Sequence, residues 1–253
     1  MLKIGIMQPY FYPYIGYWQL MNMVDEYVIY DDVNYIKRGW INRNYILLNG
    51  KPHMINLHIK DASQNRLIKD TKISQTREDT EKLLHTIAQG YRKAPYFEEI
   101  YCLLEESLKY ESDSLTDYLI HQMNAIVGYL GIRTKLLLAS KMDNDKSLRG
   151  EEKIIDMCKM RNADYYINPS GGKSLYDPER FQSSGIRLGF LETNDIEYRQ
   201  FGSTFVPRLS IIDTLMFNGI DEMKKLLNQY TIGGGVKPFK IHKGTFVKRR
   251  CAA

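Results

Sequence analysis

The chain has 253 residues and a net charge of +5; 43% of its residues are hydrophobic and 26% are charged, which is ordinary for a globular protein with a core. No apolar run approaches the ~18–20 residues that a membrane-spanning helix needs, and Pro9 comes too early for a secretory signal peptide. The three cysteines are far apart and odd in number, which favours neither a disulfide framework nor a zinc site. We therefore expect a cytoplasmic protein that uses no metal or other cofactor.

The excess positive charge lies at the end of the chain, where residues 231–253 contain six basic residues and no acids. Removing these six from the net charge of +5 leaves the rest of the chain at −1. A nucleic-acid-binding domain carries its basic surface on the folded body, so we expect no nucleic-acid partner. We interpret residues 231–253 as a mobile basic tail, with at most a weak contact to an anionic membrane surface.

The first predicted elements are a strand at residues 3–7, a helix at residues 15–24 and a second strand at residues 27–30. The two strand segments are rich in Ile, Val and Tyr, whereas apolar residues recur at near-helical spacing in the segment between them. Two strands joined by a helix of this length form a βαβ unit. The pattern therefore predicts a parallel sheet in which these two strands are neighbours.

A β-hairpin and a helical region follow. Residues 45–48 and 53–59 flank Asn49-Gly50, which is a strong type I′ turn signal. Residues 76–131 have a helical pattern throughout, with predicted helices at residues 77–91, 96–110 and 115–130.

Alternation of strands and helices then returns. The predicted elements are a strand at 134–139, a helix at 150–161, strands at 164–168 and 185–191, and helices at 210–217 and 221–229. The pattern predicts an α/β fold: a mostly parallel Rossmann-like sheet with helices on both faces, a β-hairpin and a helical insertion. We expect a single domain over residues 1–230.

The densest polar cluster follows the second predicted strand. It contains two acids, three cations, three amides and two aromatic residues, including Asp31, Asp32, Lys37, Arg38, Trp40, Asn42 and Arg43. Such a loop at the carboxyl end of a parallel strand is suited to an anionic, hydroxyl-rich ligand, with arginine on phosphate and tryptophan stacked on a ring. The alternative is a solvated connection that neutralises its own charges through local ion pairs.

A second cluster follows the first predicted strand and is unusually aromatic. Gln8, Tyr10, Tyr14 and Tyr17 lie in a stiff, proline-containing approach to a helix N-terminus, which can receive an anion. The alternative is an aromatic plug that seals the edge of the sheet, since tyrosines serve both purposes.

Weaker candidates lie further along the chain. Asn168 and Lys173 lie in a loop that contains a Gly-Lys-Ser sequence, but Ile167 stands where a phosphate-binding P-loop needs its first glycine. Gln200 is a further binding candidate. Ser210 and Asp213 fit either a site or a helix cap, with Asp213 as a capping-box-like acid. The five histidines have neither metal-ligand spacing nor a nucleophile motif.

Several of these segments together resemble the WbqC-like family. The resemblance is carried by Ile6-Met7-Gln8-Pro9-Tyr10-Phe11-Tyr12-Pro13-Tyr14-Ile15-Gly16-Tyr17, by Val28-Ile29-Tyr30-Asp31-Asp32-Val33, and by Lys37-Arg38-Gly39-Trp40-Ile41-Asn42-Arg43-Asn44. Shorter matching segments follow at residues 163–168, 171–173, 198–200 and 209–213. The resemblance implies a setting in bacterial surface-polysaccharide assembly, such as O-antigen or lipopolysaccharide biosynthesis.

The leading interpretation is a transferase that acts on a nucleotide-linked amino sugar by metal-independent acyl or aminoacyl transfer. On this interpretation Asp31 or Asp32 accepts a proton from the attacking amine, Lys37 stabilises an oxyanion, and Arg38 and Arg43 hold phosphate or carboxylate. The expected partners are a sugar nucleotide and an acyl donor. Two alternatives remain open: a glycosyl- or nucleotidyl-transferase with a metal on Asp31 and Asp32, and a non-catalytic sugar-nucleotide-binding or scaffold protein.

Overall fold

The structure is a computed structural model that describes residues 1–234. In this part of the chain the strands are β1 (Lys3–Met7), β2 (Glu26–Ile29), β3 (Arg43–Leu48), β4 (Lys51–Asn56), β5 (Ile59–Lys60), β6 (Lys72–Ile73), β7 (Lys135–Leu138), β8 (Tyr165–Pro169), β9 (Arg187–Thr193) and β10 (Tyr230–Gly234). The α-helices are α1 (Ile15–Met23), α2 (Arg77–Tyr91), α3 (Phe97–Leu108), α4 (Leu115–Leu130), α5 (Gly150–Met160), α6 (Pro178–Ser183), α7 (Ile211–Phe217) and α8 (Ile220–Leu226).

Six strands form the central sheet in the order β10-β9-β8-β1-β2-β7. The pairs β1–β2, β2–β7, β1–β8 and β8–β9 are parallel, and only the pairing of β10 with β9 is antiparallel. The chain runs outward from β1 through β2 to β7 and then returns to the other side of β1, which is a doubly wound arrangement. The expected mostly parallel sheet is confirmed, and so is the predicted parallel pairing of β1 with β2.

Alternate residues of each strand face opposite sides of the sheet, and each side has its own core. Ile4 and Ile6 of β1 pack with the apolar residues of α5 and α6. On the other side Tyr27 and Ile29 of β2 pack with α1, the helical insertion and the last two helices. These two cores confirm the predicted helices on both faces. A mostly parallel sheet requires such helices, since both of its faces must be buried.

The predicted hairpin is formed by β3 and β4 around a tight turn. Asn49 and Gly50 have φ values of 52° and 71°, the left-handed conformation that a type I′ turn requires. The second strand ends earlier than predicted, at Asn56 rather than at residue 59. The Leu57 N–H still donates to the Asn42 carbonyl, but Ile59 and Lys60 then pair with β6 in a separate two-stranded sheet.

The helical insertion comprises the three predicted helices. Thr76 and Asp79 form a capping box at the start of α2, Ser114 caps α4, and Gly131 ends α4 in the left-handed conformation with φ 66°. Helix α2 approaches the hairpin so closely that a Cβ on Gly90 would lie 2.6 Å from the Leu47 carbonyl oxygen. Glycine at this position therefore sets the distance between the insertion and the hairpin.

The end of the described chain belongs to the sheet. Strand β10 pairs with β9 and extends the sheet four residues beyond residue 230, the boundary expected from the sequence. The remainder of the expected basic tail, residues 235–253, lies outside the described residues. Within residues 1–234 we find no helix whose length and apolar character would let it cross a bilayer.

Two helical glycines provide a matched test of this packing. We expect Gly90→Ala to destabilise the fold by about 1–3 kcal/mol, because the new methyl group meets the Leu47 carbonyl oxygen. Gly128→Ala in α4 has no atom within 4 Å of the new Cβ. It should therefore stabilise by about 0.5–1 kcal/mol, which is the ordinary helix-propensity gain. Denaturant unfolding measures both changes, and a gain in stability from Gly90→Ala would contradict the close approach.

Candidate functional site

Polar residues gather where the parallel strands end. Gln8 follows β1, Asp31 and Asp32 follow β2, and Ser140 follows β7. These strands run in the same direction, so their carboxyl ends meet at one edge of the sheet, which is where open α/β sheets bind ligands.

A cavity of about 260 Å³ lies at this edge, beside the end of β2. It is lined by Tyr30, Asp32, Val33, Asn34, Leu67, Lys69, Lys146, Arg149, Gly150 and Lys153. Four of these side chains are cations and only one is an acid. The lining therefore has a local positive charge although the body of the chain is close to neutral.

Asp32 is held between two lysines at the wall of the cavity. Its Oδ2 lies 3.1 Å from the Nζ of Lys146 and 3.0 Å from the Nζ of Lys153. The side chains of Asp32 and Lys153 are each only 4% exposed, and Lys153 Nζ also donates to the Asp32 carbonyl and lies 5.3 Å from the centre of the Tyr30 ring. Asp32 Oδ1 accepts no hydrogen bond from any described residue. The cavity wall thus combines a buried ion pair with an unused acceptor.

Helix α5 begins at the cavity. No side chain caps its first turn, so its backbone N–H groups remain available to an anion. Glu151 and Glu152 occupy this turn, but both pair with Arg180, at 2.9 Å in each case, which offsets their negative charge. Arg149 donates through Nη1 to the carbonyls of residues 146–148 and so folds the loop that leads into the helix.

Asp31 has different partners from its neighbour. Its buried carboxylate accepts hydrogen bonds from the backbone N–H and the hydroxyl of Ser140, at 2.8 Å and 2.6 Å, which tie the end of β2 to the end of β7. Burial raises the pKa of the Asp31 carboxyl, and the hydrogen bonds from Ser140 oppose this shift. Asp31 does not line the cavity, so only one of the two predicted catalytic acids does.

The predicted cations of the next loop do not line the cavity either. Lys37 and Arg38 are exposed, and Trp40 is 47% exposed with its ring against Tyr45. Arg43 turns back onto its own loop, where its guanidinium donates to the carbonyls of Gly39 and Arg38. The loop thus uses Arg43 to fix its own backbone.

The aromatic segment after β1 is largely internal. Tyr17 is buried, its ring lies tilted against that of Tyr10, and its hydroxyl donates to the Gln8 carbonyl. Tyr12 is buried with φ 40°, and its carbonyl accepts from the Asn44 amide and the Ser210 hydroxyl.

Within this segment the side chains of Gln8, Tyr10 and Tyr14 stay partly accessible. For Phe11, Tyr12 and Tyr17, which are all buried, the geometry favours the aromatic plug over a ligand contact.

Three other predicted binding residues make contacts within the fold. Asn42 accepts from the Tyr35 hydroxyl and donates to the Leu57 carbonyl. Asn168 is buried and accepts from the Tyr166 hydroxyl, and exposed Lys173 lies 3.8 Å from Glu192.

Gln200 belongs to a buried network around Asp213. The Asp213 carboxylate accepts hydrogen bonds from Tyr91, Tyr198 and Gln200, at 2.8, 2.6 and 2.6 Å. Ser210 caps α7 as predicted, but no capping box forms, because the Ser210 N–H donates to the Tyr45 carbonyl. Asp213 instead joins α2, α7 and the loop after β9.

The four cations of the cavity were not predicted from the sequence. Lys146 and Arg149 precede α5 and only Lys153 lies within it, so no helical period connects the three. Lys69 lies in the long connection between β5 and β6 and had no local signal.

The ion pair in the cavity wall should contribute strongly to stability. We expect Lys153→Met to cost about 3 kcal/mol, since it removes one partner of a buried pair. Lys135→Met, at a pair whose lysine is 59% exposed, should cost no more than about 1 kcal/mol. Denaturant unfolding of Lys153→Met, Asp32→Asn and the double variant should give a favourable coupling energy. Equal costs for the two lysine variants would contradict the buried pair.

The Asp213 network should show itself in the pH dependence of stability. Burial raises the pKa of the Asp213 carboxyl, so the folded state holds this proton more tightly than the unfolded state. The contribution of the group therefore grows as the pH falls through the raised value and is lost as the pH rises. Unfolding free energies of wild type and Asp213→Asn should differ progressively in favour of wild type from about pH 7 to about pH 4. A difference independent of pH would show that Asp213 is not the titrating group.

Comparison with known proteins places the chain in a family. The model of the WbqC-like protein family matches residues 8–225. The uncharacterized protein Rv1507c of Mycobacterium tuberculosis is 31% identical over 222 residues, which cover 86% of this chain and 94% of that protein. No solved structure matches the chain. Because the family model matches well over half of the chain, including the residues of the cavity and the aromatic segment, the chain belongs to the WbqC-like protein family.

Proposed function

We propose that the protein binds a nucleotide-linked amino sugar in the basic cavity and acts on it as an acyl or aminoacyl transferase. The observation that carries this proposal is the composition of the cavity wall: four cations and the open N-terminus of α5 surround one carboxylate with an unused oxygen. Phosphate groups match the cations and the helix terminus. A hydroxyl or amine of the sugar matches the Asp32 carboxylate, whose buried Oδ1 has an unfilled acceptor position.

In this proposal the phosphate-binding role moves from Arg38 and Arg43 to the cavity. Arg43 lies outside the cavity and turns back onto its own loop, whereas Lys69 lines the cavity and forms no ion pair with any described residue. A diphosphate carries two or more negative charges and needs several cations at short range. The lining of the cavity provides this set of charges, and an exposed loop does not.

The transfer step would use Asp32 and Lys146. The sugar amine attacks the carbonyl carbon of the acyl donor, a C–N bond forms, and the bond from that carbon to the leaving group breaks. The Asp32 carboxylate takes the proton released by the amine. The positive charge of Lys146 stabilises the oxyanion electrostatically, since its N–H groups are held by Asp32, Ala139 and Asn144. Lys146 thus takes the role that the sequence suggested for Lys37. The family resemblance supports a place for this reaction in surface-polysaccharide biosynthesis.

The metal-assisted alternative has less support from the geometry. A metal bridging a diphosphate needs carboxylate oxygens that converge on it. Here the Asp31 carboxylate is taken up by Ser140 and the Asp32 carboxylate by two lysines. The described residues also contain no cluster of three or more His, Cys, Asp or Glu side chains suited to a metal ion.

Binding of sugar nucleotides tests the proposal directly. We expect calorimetry to detect UDP- or dTDP-linked amino sugars, and Lys69→Ala to weaken binding about ten- to a hundred-fold, because a charge-assisted contact contributes roughly 1.5–3 kcal/mol. Lys159→Ala is the matched control, since this exposed lysine lies at the other end of α5. The free amino sugar should bind far more weakly than its nucleotide-linked form.

Turnover is then tested with acyl and aminoacyl donors. Formation of an N-acylated sugar nucleotide by wild type, with a loss of turnover in Lys146→Ala that exceeds its loss of binding, supports the transfer step. Tight binding without turnover for any donor would favour the non-catalytic binding protein. Equal binding by wild type and Lys69→Ala would remove the cavity from the proposal.

A further inference from the structure

A β-turn at residues 36–40 projects from the body of the protein and is held rigidly. The Gly39 N–H donates to the Ile36 carbonyl, and Arg38 has φ 60°. The guanidinium of Arg43 binds two carbonyls of the turn, and the Phe11 N–H binds the Trp40 carbonyl. The backbone of the 36–40 turn is therefore fixed from both sides.

The ends of the turn are anchored by buried residues. Tyr35 is 3% exposed and donates to Asn42, and Ile41 is fully buried. Between these anchors the side chains point outward. Ile36 and Trp40 are each 47% exposed, and Lys37 and Arg38 between them are exposed as well. The turn thus presents two large apolar side chains, Ile36 and Trp40, on either side of two cations.

The charges of the two cations in the turn are not neutralised within the described part of the protein. Neither Lys37 nor Arg38 forms an ion pair with any described residue. An isoleucine and a tryptophan exposed to water are unfavourable, and a rigid loop cannot turn them inward. A partner that binds both the cations and the apolar side chains must combine negative charge with an apolar layer beneath it.

We propose that the 36–40 turn docks the protein on bilayers that contain anionic phospholipids. Tryptophan favours the boundary between headgroups and acyl chains, while lysine and arginine bind the phosphates of the headgroups. The rigid backbone means that little conformational freedom is lost on docking. This site is separate from the basic cavity, and it requires no membrane-spanning helix.

Fluorescence gives a local readout of docking. The chain has two tryptophans, and Trp18 is 1% exposed in the core, so changes at the surface report on Trp40. With the full chain, we expect a blue shift of the emission and co-sedimentation with vesicles of phosphatidylcholine and phosphatidylglycerol in equal amounts. Vesicles of phosphatidylcholine alone should give neither. High salt should weaken the binding, because the charges are exposed.

Variants identify the turn as the cause. Lys37→Gln/Arg38→Asn keeps a residue that tolerates the left-handed backbone at position 38. It should lower vesicle affinity about thirty-fold, since each cation near an anionic surface contributes about five-fold. Trp40→Ala should lower affinity with an unchanged melting temperature. The matched control is Arg92→Asn/Lys93→Gln, which removes the same charge from an exposed Arg-Lys pair at the end of α2.

Three results would overturn the proposal. The first is absence of a blue shift with anionic vesicles. The second is equal loss of binding in the two double variants, or no loss in Lys37→Gln/Arg38→Asn, because either outcome assigns the binding to general charge or to residues 231–253. The third is a response of Trp40 to sugar nucleotides without vesicles, which would make the turn part of the ligand site.

Discussion

The Asp32 carboxylate, buried between two lysines, is the contact on which the functional edge of the sheet depends. Asp32 follows β2, Lys146 belongs to the connection after β7, and Lys153 lies in α5, so one carboxylate ties three segments together. Burying charges is expensive, and replacement by apolar residues would often be neutral for stability. The arrangement is better explained by what it does for the cavity. It keeps two ammonium groups and one carboxylate at fixed positions in the cavity wall.

The topology explains why this wall lies where it does. Parallel strands bring their carboxyl ends to one edge, and each crossover returns with a helix whose N-terminus faces the same edge. Helix α5 follows this rule, and its uncapped first turn lies beside the cavity. The aromatic segment after β1 closes the neighbouring part of the edge, with Tyr12 held in a left-handed conformation by Asn44 and Ser210. One part of the edge is therefore sealed and the next part stays open.

Much of the fold follows from local patterns. The period of the apolar residues predicts the first βαβ unit, Asn49-Gly50 predicts the hairpin, and Gly131 predicts the end of α4. The early end of β4 was not predictable, because it depends on the pairing of Ile59 with Ile73 of β6, further along the chain.

The site was less predictable, for two physical reasons. Arg43 is a residue type that binds anions, and it lies in a loop suited to a ligand. Its guanidinium nevertheless donates to the backbone carbonyls of the residues four and five positions before it. Lys153 pairs with Asp32 across 121 residues, and no local pattern reveals a lysine on the buried side of a helix.

The two basic surfaces of this protein differ in how deeply their cations are buried. In the cavity, Lys153 is buried, so its interactions are poorly screened by salt and depend on the positions of single atoms. At the 36–40 turn, Lys37 and Arg38 are exposed, so they act through a potential that reaches about 10 Å at ordinary ionic strength and requires no fixed partner. A compact phosphate needs the first kind of surface and a fluid layer of headgroups needs the second. Under the two proposals, the same residue types would serve a small ligand in one place and a membrane surface in the other, with burial rather than composition determining which.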